Sequence, residues 1–329
     1  MKKITAMILL LAMVLALAAC SGGTNADDKN TDSSEDTYTI GVLYLDQEAL
    51  LSEATAGCQA YAAEHSNVKL IEYNANKDVS TQLKQCENLI SQNVDAIALT
   101  PVDGAGCDQI INACKDAGIP LICFHAKVNG APITNILFDN VGFGKMQVDY
   151  AMEIFEKSGG DMNGTINVGI VTGKLDNQNA VERCQGYEEQ LKNYANATIV
   201  DEQVGSWNRD DAMAIAENWI TSGRDIDIIL SNNDAMAIGI SLAYANANVE
   251  RPIIIGVGGT EEGLTAILNG DFDGTVFQPA YQNGYDAIDF TVKYLNGETL
   301  EESYVTEGVL VTPETAQATL DDLNAMLNS

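Results

Sequence analysis

The chain is poor in histidine and in positive charge. Only His65 and His125 occur among 329 residues, which leaves no histidine pair to hold a metal ion. Lysine and arginine number 17 against 47 aspartates and glutamates, a formal net charge of −30. A surface of that sign repels nucleic acid, so DNA and RNA are not expected partners. Solubility accounts for the acidity itself. The stretch from Gly169 to Lys174 lacks the spacing of a Walker loop, and no serine stands in a G-x-S-x-G setting. The expectation is a protein that binds and does not catalyse, with no cofactor and no metal.

What is present begins at the N-terminus. Lys2 and Lys3 precede an apolar run from Ile4 to Ala19 that ends in Leu17-Ala18-Ala19-Cys20. A basic start, an apolar stretch and small residues before a cysteine form a bacterial lipoprotein signal with its lipobox. A transmembrane anchor fits less well, because the run is short and stops at a polar tract. The expected processing removes residues 1–19 and lipidates Cys20. Residues 20–37 then serve as lipidated cysteine and disordered tether, since SGGTNADDKNTDSSEDT has no apolar period. The folded part is thus expected outside the cytoplasm, anchored to the cell membrane.

Seven cysteines in an exported chain would ordinarily mean disulfides. Their positions argue for buried thiols. Cys58 lies in line with Ala54, Tyr61 and Ala62, Cys86 with Val79, Leu83 and Ile90, and Cys107 and Cys114 with Ile110 and Ile111. Cys107 and Cys114 are separated by two helical turns, roughly 10 Å, too far to bridge. A pairing of Cys86 with Cys114 or Cys107 between neighbouring helices stays open.

About 290 residues remain for folding, more than one core usually serves, which points to two lobes. Strand-like runs recur at Ile40–Leu45, Val68–Tyr73, Val94–Leu99, Ile119–Phe124 and Ile133–Phe138, with helical patterns at Glu48–His65, Val79–Gln92 and Ala105–Ala117. Apolar strands without alternation, separated by helices, predict a parallel sheet covered on both faces. The pattern restarts at Ile166–Val171 and continues through Thr198–Val204, Ile226–Leu230, Pro252–Val257 and Gly274–Phe277. VDAIALTPVDGAG followed by GIPLICFHA echoes IDIILSNNDAMAIG followed by RPIIIGVGG. The predicted fold is α/β, two Rossmann-like lobes with parallel sheets. Residues 38–138 plus 280–305 form one lobe and 139–279 plus 306–329 the other. Tyr304–Val311 reads as one last strand. The chain is expected to cross near Asp139, Pro279 and Gly308, giving a three-crossover hinge.

Ligands of open α/β sheets bind where strands end and helices begin. The break Ser231-Asn232-Asn233-Asp234 is such a place. Asn233 both donates and accepts, as a neutral polyhydroxylated ligand requires. Asn at a helix start is also a common cap. Both readings stand. Tyr44, Asp46 and Glu48 end the first strand and open the first helix, where they reach the cleft or simply cap and solvate a turn. His125 follows another buried strand, and Trp207 stands in the loop Gly205-Ser206-Trp207-Asn208. Trp219, four residues from Ile215 on a helix, reads as core.

Together IGVLYLD, VDAIALTPVD, AGIPLICF, FDNVGFGK, NQNAVERCQGY, LSNNDAMAIG, IIGVGGTEEG and GTVFQPAYQNGYDA resemble the type I periplasmic sugar-binding proteins, particularly ribose-binding-like lipoproteins that feed ABC transporters. The likeness covers nearly all of residues 38–329. The lac repressor regulators share this core but begin with a helix-turn-helix, which this chain lacks. The resemblance implies Trp207 as stacking aromatic, Asn233 as hinge-side amide and Gln278 as late-strand amide. It also marks departures. The family's Asp-Arg pair is His125-Ala126 here, an Arg is Val181, an Asp is Gly258, and two Phe are Leu50 and Leu51, so nearly all charged ligand contacts look lost.

The function expected is that of a monomeric substrate-binding lipoprotein, trapping a small sugar or sugar derivative between the lobes and delivering it to an ABC transporter permease. Two alternatives share the fold. One is a receptor that reports to a membrane sensor kinase or chemoreceptor, and the other binds a non-sugar ligand such as a nucleoside or quorum signal.

Overall fold

Apolar strands alternating with amphipathic helices run the length of the computed structural model, which describes residues 36–47, 50–104 and 106–328. Cys20, the signal segment and almost all of the tether lie outside the described residues, as does Glu48. In chain order the first half is β1 (Tyr38–Tyr44), α1 (Leu50–Glu64), β2 (Val68–Asn74), α2 (Val79–Ser91), β3 (Ala96–Leu99), α3 (Asp108–Ala117), β4 (Leu121–Phe124) and β5 (Thr134–Phe138). The second is α4 (Asn140–Lys157), β6 (Ile166–Thr172), α5 (Gln178–Leu191), β7 (Ala197–Val204), α6 (Arg209–Ser222), β8 (Ile228–Ser231), α7 (Asp234–Ala247), β9 (Ile253–Gly258), α8 (Glu261–Asn269) and β10 (Gly274–Phe277). The chain then adds α9 (Ala280–Leu295), β11 (Ser303–Thr306), β12 (Val309–Val311) and α10 (Ala316–Leu327).

Two six-stranded sheets result, ordered β11-β5-β4-β3-β1-β2 and β12-β10-β9-β8-β6-β7. Strand order is the same in both, so the repeated sequence blocks occupy equivalent strands, β3 and β8. Every pairing is parallel except β12 against β10. Helices α1 and α9 cover one face of the first sheet and α2 and α3 the other. On the second sheet α4 and α5 cover one face, while α6, α7, α8 and α10 cover the other. Both faces of each sheet are therefore dry, as continuous apolar strands require.

Two features depart from the sequence expectation. Helix α4 fills a stretch where no helix is predicted. Gly142 and Gly144 lower its intrinsic propensity, and the capping Asp139 carboxylate explains the first and packing the second. A Cβ on Gly144 would lie 2.2 Å from the carbonyl oxygen of Arg183, and one on Gly186 2.3 Å from that of Val141, so α4 and α5 meet backbone to backbone. The segment Tyr304–Val311 is two strands, not one. It leaves the first sheet after Thr306 and enters the second at Val309, where the small Gly308 passes between Phe143 and Val276.

The chain passes between the sheets in three places. It does so between β5 and α4 at Asp139, between β10 and α9 at Gln278-Pro279, and between β11 and β12 at Glu307-Gly308. Asp139 accepts a hydrogen bond from the Gly142 amide at 2.8 Å and donates its own amide to Thr306 at 3.0 Å, joining two of these passages. Cys58, Cys86, Cys107, Cys114 and Cys123 are buried free thiols, and Cys184 is a half-buried one. The Cys86 and Cys114 sulfurs lie 3.6 Å apart.

Candidate functional site

The candidate site is built at the C-terminal ends of the second sheet's strands, around a buried arginine. Helix α5 starts at the Asn177 cap, whose side chain accepts from the Asn179 amide at 2.9 Å. Helical spacing then places Ala180, Arg183, Tyr187 and Leu191 on its buried face. Arg183 is 4% exposed. Its Nε donates to Asn140 Oδ1 at 3.0 Å, one terminal nitrogen to the Asn232 carbonyl, and the other to Gln278 Oε1 at 2.6 Å. The guanidinium also lies 5.8 Å from the centre of the Phe143 ring and 5.6 Å from that of Trp207. Burial pushes its pKa down to about 10, against the pull of Tyr187 and Asp234, so it stays charged at neutral pH.

That arrangement dictates how Gln278 lies. Its Oε1 must face the guanidinium, so its amide nitrogen points away. This Nε2 is buried without a hydrogen-bond partner, in a side chain only 1% exposed. A buried donor in that state awaits an acceptor.

Trp207 sits alongside. Ser206 and Trp207 both take left-handed backbone angles, with φ of 54° and 66°. Gly173 at the end of β6 makes room for the ring, since a Cβ there would lie 2.2 Å from Trp207 Cε2. Asn233 serves two neighbours. Its Oδ1 accepts from the Met236 amide at 2.9 Å, capping α7, and its Nδ2 donates to the Trp207 carbonyl at 3.3 Å. The capping reading is therefore realised, and the same side chain holds the Trp207 loop in place.

His125 ends β4 in the first half with φ of 70°. Its carbonyl accepts from Asn179 Nδ2 at 3.2 Å, a bond between the two halves. Asn179 in turn accepts from Asn140 at 3.2 Å, so hydrogen bonds run from His125 through Asn179 and Asn140 to Arg183 and Gln278. The imidazole meets Phe138 edge to face with ring centres 5.5 Å apart, and its Nδ1 is buried without a partner. Burial, and then the Arg183 charge, push its pKa down to about 4, so the ring is neutral at neutral pH.

The structure thus gathers His125, Trp207, Asn233 and Gln278 around Arg183. It does not bring Tyr44 there. The Tyr44 ring is fully buried in the first core, edge to face with Phe124 at 6.5 Å, and its hydroxyl donates to Glu72 at 2.8 Å. Burial accordingly raises its pKa far beyond the usual phenol range. Asp46 stands 3.4 Å from Lys77 Nζ at the edge of the same half.

Two charged groups escape the sequence reading. At Val181 the side chain is 41% exposed, and Arg183, two positions on, supplies the buried cation that had looked lost. Its signal was a cation in register with Ala180 and Tyr187. Glu53, in the first turn of α1, is 6% exposed with Oε2 buried and unpartnered. In sequence it passes for an acid favoured by the helix dipole. Asp234 is buried too, but its carboxylate is saturated by the Gly259 and Thr260 amides at 2.7 and 3.1 Å and the Thr275 hydroxyl at 2.6 Å.

Two repeated α/β halves, joined by three passages and facing each other across a polar seam, define a two-lobe binding protein. The chain belongs to the periplasmic binding protein family, among its type I sugar-binding members: the family described as "Periplasmic binding protein domain" matches residues 41–299. The xylitol-binding protein of Mycolicibacterium smegmatis is 30% identical over 312 residues, 94% of this chain and 84% of the relative. A putative rhizopine-binding protein of Rhizobium meliloti is 29% identical over 269 residues, 78% of this chain and 84% of the relative. Among solved structures, an ABC transporter solute-binding protein from Bacillus halodurans with bound myo-inositol superposes with a TM-score of 0.79 at 29% identity, covering 88% of this chain and 99% of that one.

Proposed function

We propose that this chain is the extracytoplasmic substrate-binding lipoprotein of an ABC importer, and that it takes up an uncharged sugar or sugar alcohol between its lobes. The observation that carries the reading is the unpartnered amide nitrogen of Gln278, held in orientation by Arg183, whose guanidinium also lies against the Trp207 ring. An amide donor next to an aromatic face suits the two surfaces of a polyol, hydroxyls at the edge and C–H groups on the flat side. The similar proteins named for xylitol, or solved with myo-inositol, bind ligands of this chemistry.

Three of the five N–H groups of Arg183 are committed to protein acceptors, which fixes Gln278 before the ligand arrives and lowers the ordering cost of binding. Asp139, Pro279 and Gly308 act as the hinge about which the lobes close. The closed monomer presents a joined surface to a permease while Cys20 keeps it on the membrane.

The test is thermal shift of the soluble form, from residue 21, against monosaccharides, sugar alcohols, inositols, amino sugars and nucleosides. A ligand that binds only the folded chain must raise its melting temperature. A rise with one family of neutral sugars or polyols is the expected result. A rise with nucleosides alone, or with nothing, overturns the proposal.

A further inference from the structure

We propose that Glu53 is a specificity-determining residue of the cleft, reading a hydroxyl group of the bound polyol from the first lobe while Gln278 reads the ligand from the second. The inference rests on the ligand class argued above.

Glu53 lies in the first turn of α1, at the strand end of the first sheet, yet only 6% of it reaches solvent. The charges that act on it belong to the opposite lobe, Asp234 at the start of α7 and Glu261 at the start of α8. Its carboxyl therefore lies within electrostatic reach of two helix starts of the second lobe. Asp234 is already saturated by Gly259, Thr260 and Thr275. The buried cation Arg183 is turned to Asn140, Asn232 and Gln278. Among the described residues no ion pair reaches Glu53, and Oε2 is left buried without a partner. A buried oxygen in that condition bears its full desolvation cost until a donor arrives. The ligand is the group that arrives in such a seam.

Its protonation state fits a hydroxyl. Burial, then Asp234 and Glu261, push the Glu53 pKa up to about 8, so in the closed cleft it is mostly the neutral acid. A neutral carboxyl donates from one oxygen and accepts at the other, as a hydroxyl does. With Asp234 and Glu261 opposite, the same corner repels a ligand carboxylate, so sugar acids are rejected where the parent polyol is accepted. Exposed to water in an opened cleft, Glu53 returns to an ordinary carboxylate, so closure over the ligand takes up a proton.

The experiment is isothermal titration of the soluble protein with xylitol, myo-inositol and a panel of neutral sugars, using the parent, Glu53→Gln and Glu53→Ala. Glu53→Ala is expected to weaken binding by about tenfold or more, with the unliganded melting temperature checked alongside. Glu53→Gln, a neutral isostere, is expected to bind within about threefold of the parent at neutral pH. It is also expected to lose the proton uptake and the fall in affinity that the parent shows between about pH 5.5 and about pH 8. A merely structural Glu53 would leave that profile unchanged on substitution. Binding of Glu53→Ala as tight as the parent's, or identical pH profiles for the parent and Glu53→Gln, overturns the inference alone. Should Glu53→Ala fail to fold, the Glu53→Gln profile decides. A parent that binds no neutral sugar or polyol overturns the ligand class and this inference together.

Discussion

The Arg183 guanidinium donates to Gln278 Oε1 at 2.6 Å, tying helix α5 to the passage that leads from β10 into α9. One bond thus joins the buried face of α5 to one of the three places where the chain changes sheets. Replacing Arg183 with alanine strands Asn140, Asn232 and Gln278 together. The expected loss of stability is about 3 kcal/mol, the usual cost of breaking a buried charged network. Arg183→Lys should recover only part of it, since one ammonium cannot span three acceptors in a fork. Urea denaturation of both variants measures this, and a loss below about 0.5 kcal/mol for Arg183→Ala would mean the network carries no weight.

Trp207 and Gly173 give a paired test of the aromatic face. Trp207→Ala is expected to weaken ligand binding by about tenfold or more. Gly173→Ala should do nearly the same without touching the tryptophan, because the added methyl occupies the space of the ring. Titration calorimetry and the shift in tryptophan emission on ligand addition read both. If Gly173→Ala binds like the parent, the ring position described above is not the binding one.

The pH dependence of stability should have two arms of opposite sign. His125 has its pKa lowered from 6.5 to about 4, so the unfolded chain binds the extra proton and stability falls as pH drops through that window. Glu53 is raised from 4.5 to about 8, so its contribution is whole below about pH 4.5 and is lost as pH rises through about 8. His125→Gln should flatten the acid arm and, with a ligand holding the cleft closed, Glu53→Gln the alkaline one. Melting temperatures of the three proteins across the range decide the matter, and a variant whose curve parallels the parent's removes its residue from the account.

Six thiols, Cys58 to Cys184, are expected to titrate when the unreduced mature protein is unfolded. Loss of two would assign a bridge to Cys86 and Cys114, whose sulfurs are already 3.6 Å apart.

The parallel sheets were legible because burial on both faces leaves a mark in each strand, an apolar run such as Ile228–Ser231 with no alternation. The family resemblance singled out Trp207 and Gln278, which the structure places against Arg183. Helix α4 was not legible, since its Gly144 serves contact with a helix forty residues away, and local propensity carries no trace of that. Arg183 and Glu53 were missed for a related reason. A charged side chain on a helix is normally solvated, and no local pattern shows that Arg183 is buried among Asn140, Asn232 and Gln278 or that Glu53 is almost fully covered. Tyr44 erred the opposite way. It ends a strand, as a ligand contact should, yet its ring points into the layer beneath α1 and α9.

The short segment from Ser303 to Val311 serves as edge strand to both sheets in succession. Val311, and then Ala316 and Leu323 on α10, complete the core of the second lobe. Neither lobe is therefore finished by any stretch of chain that stops before this segment, although most of each is encoded earlier. During synthesis the whole molecule stays topologically open until its final turns appear.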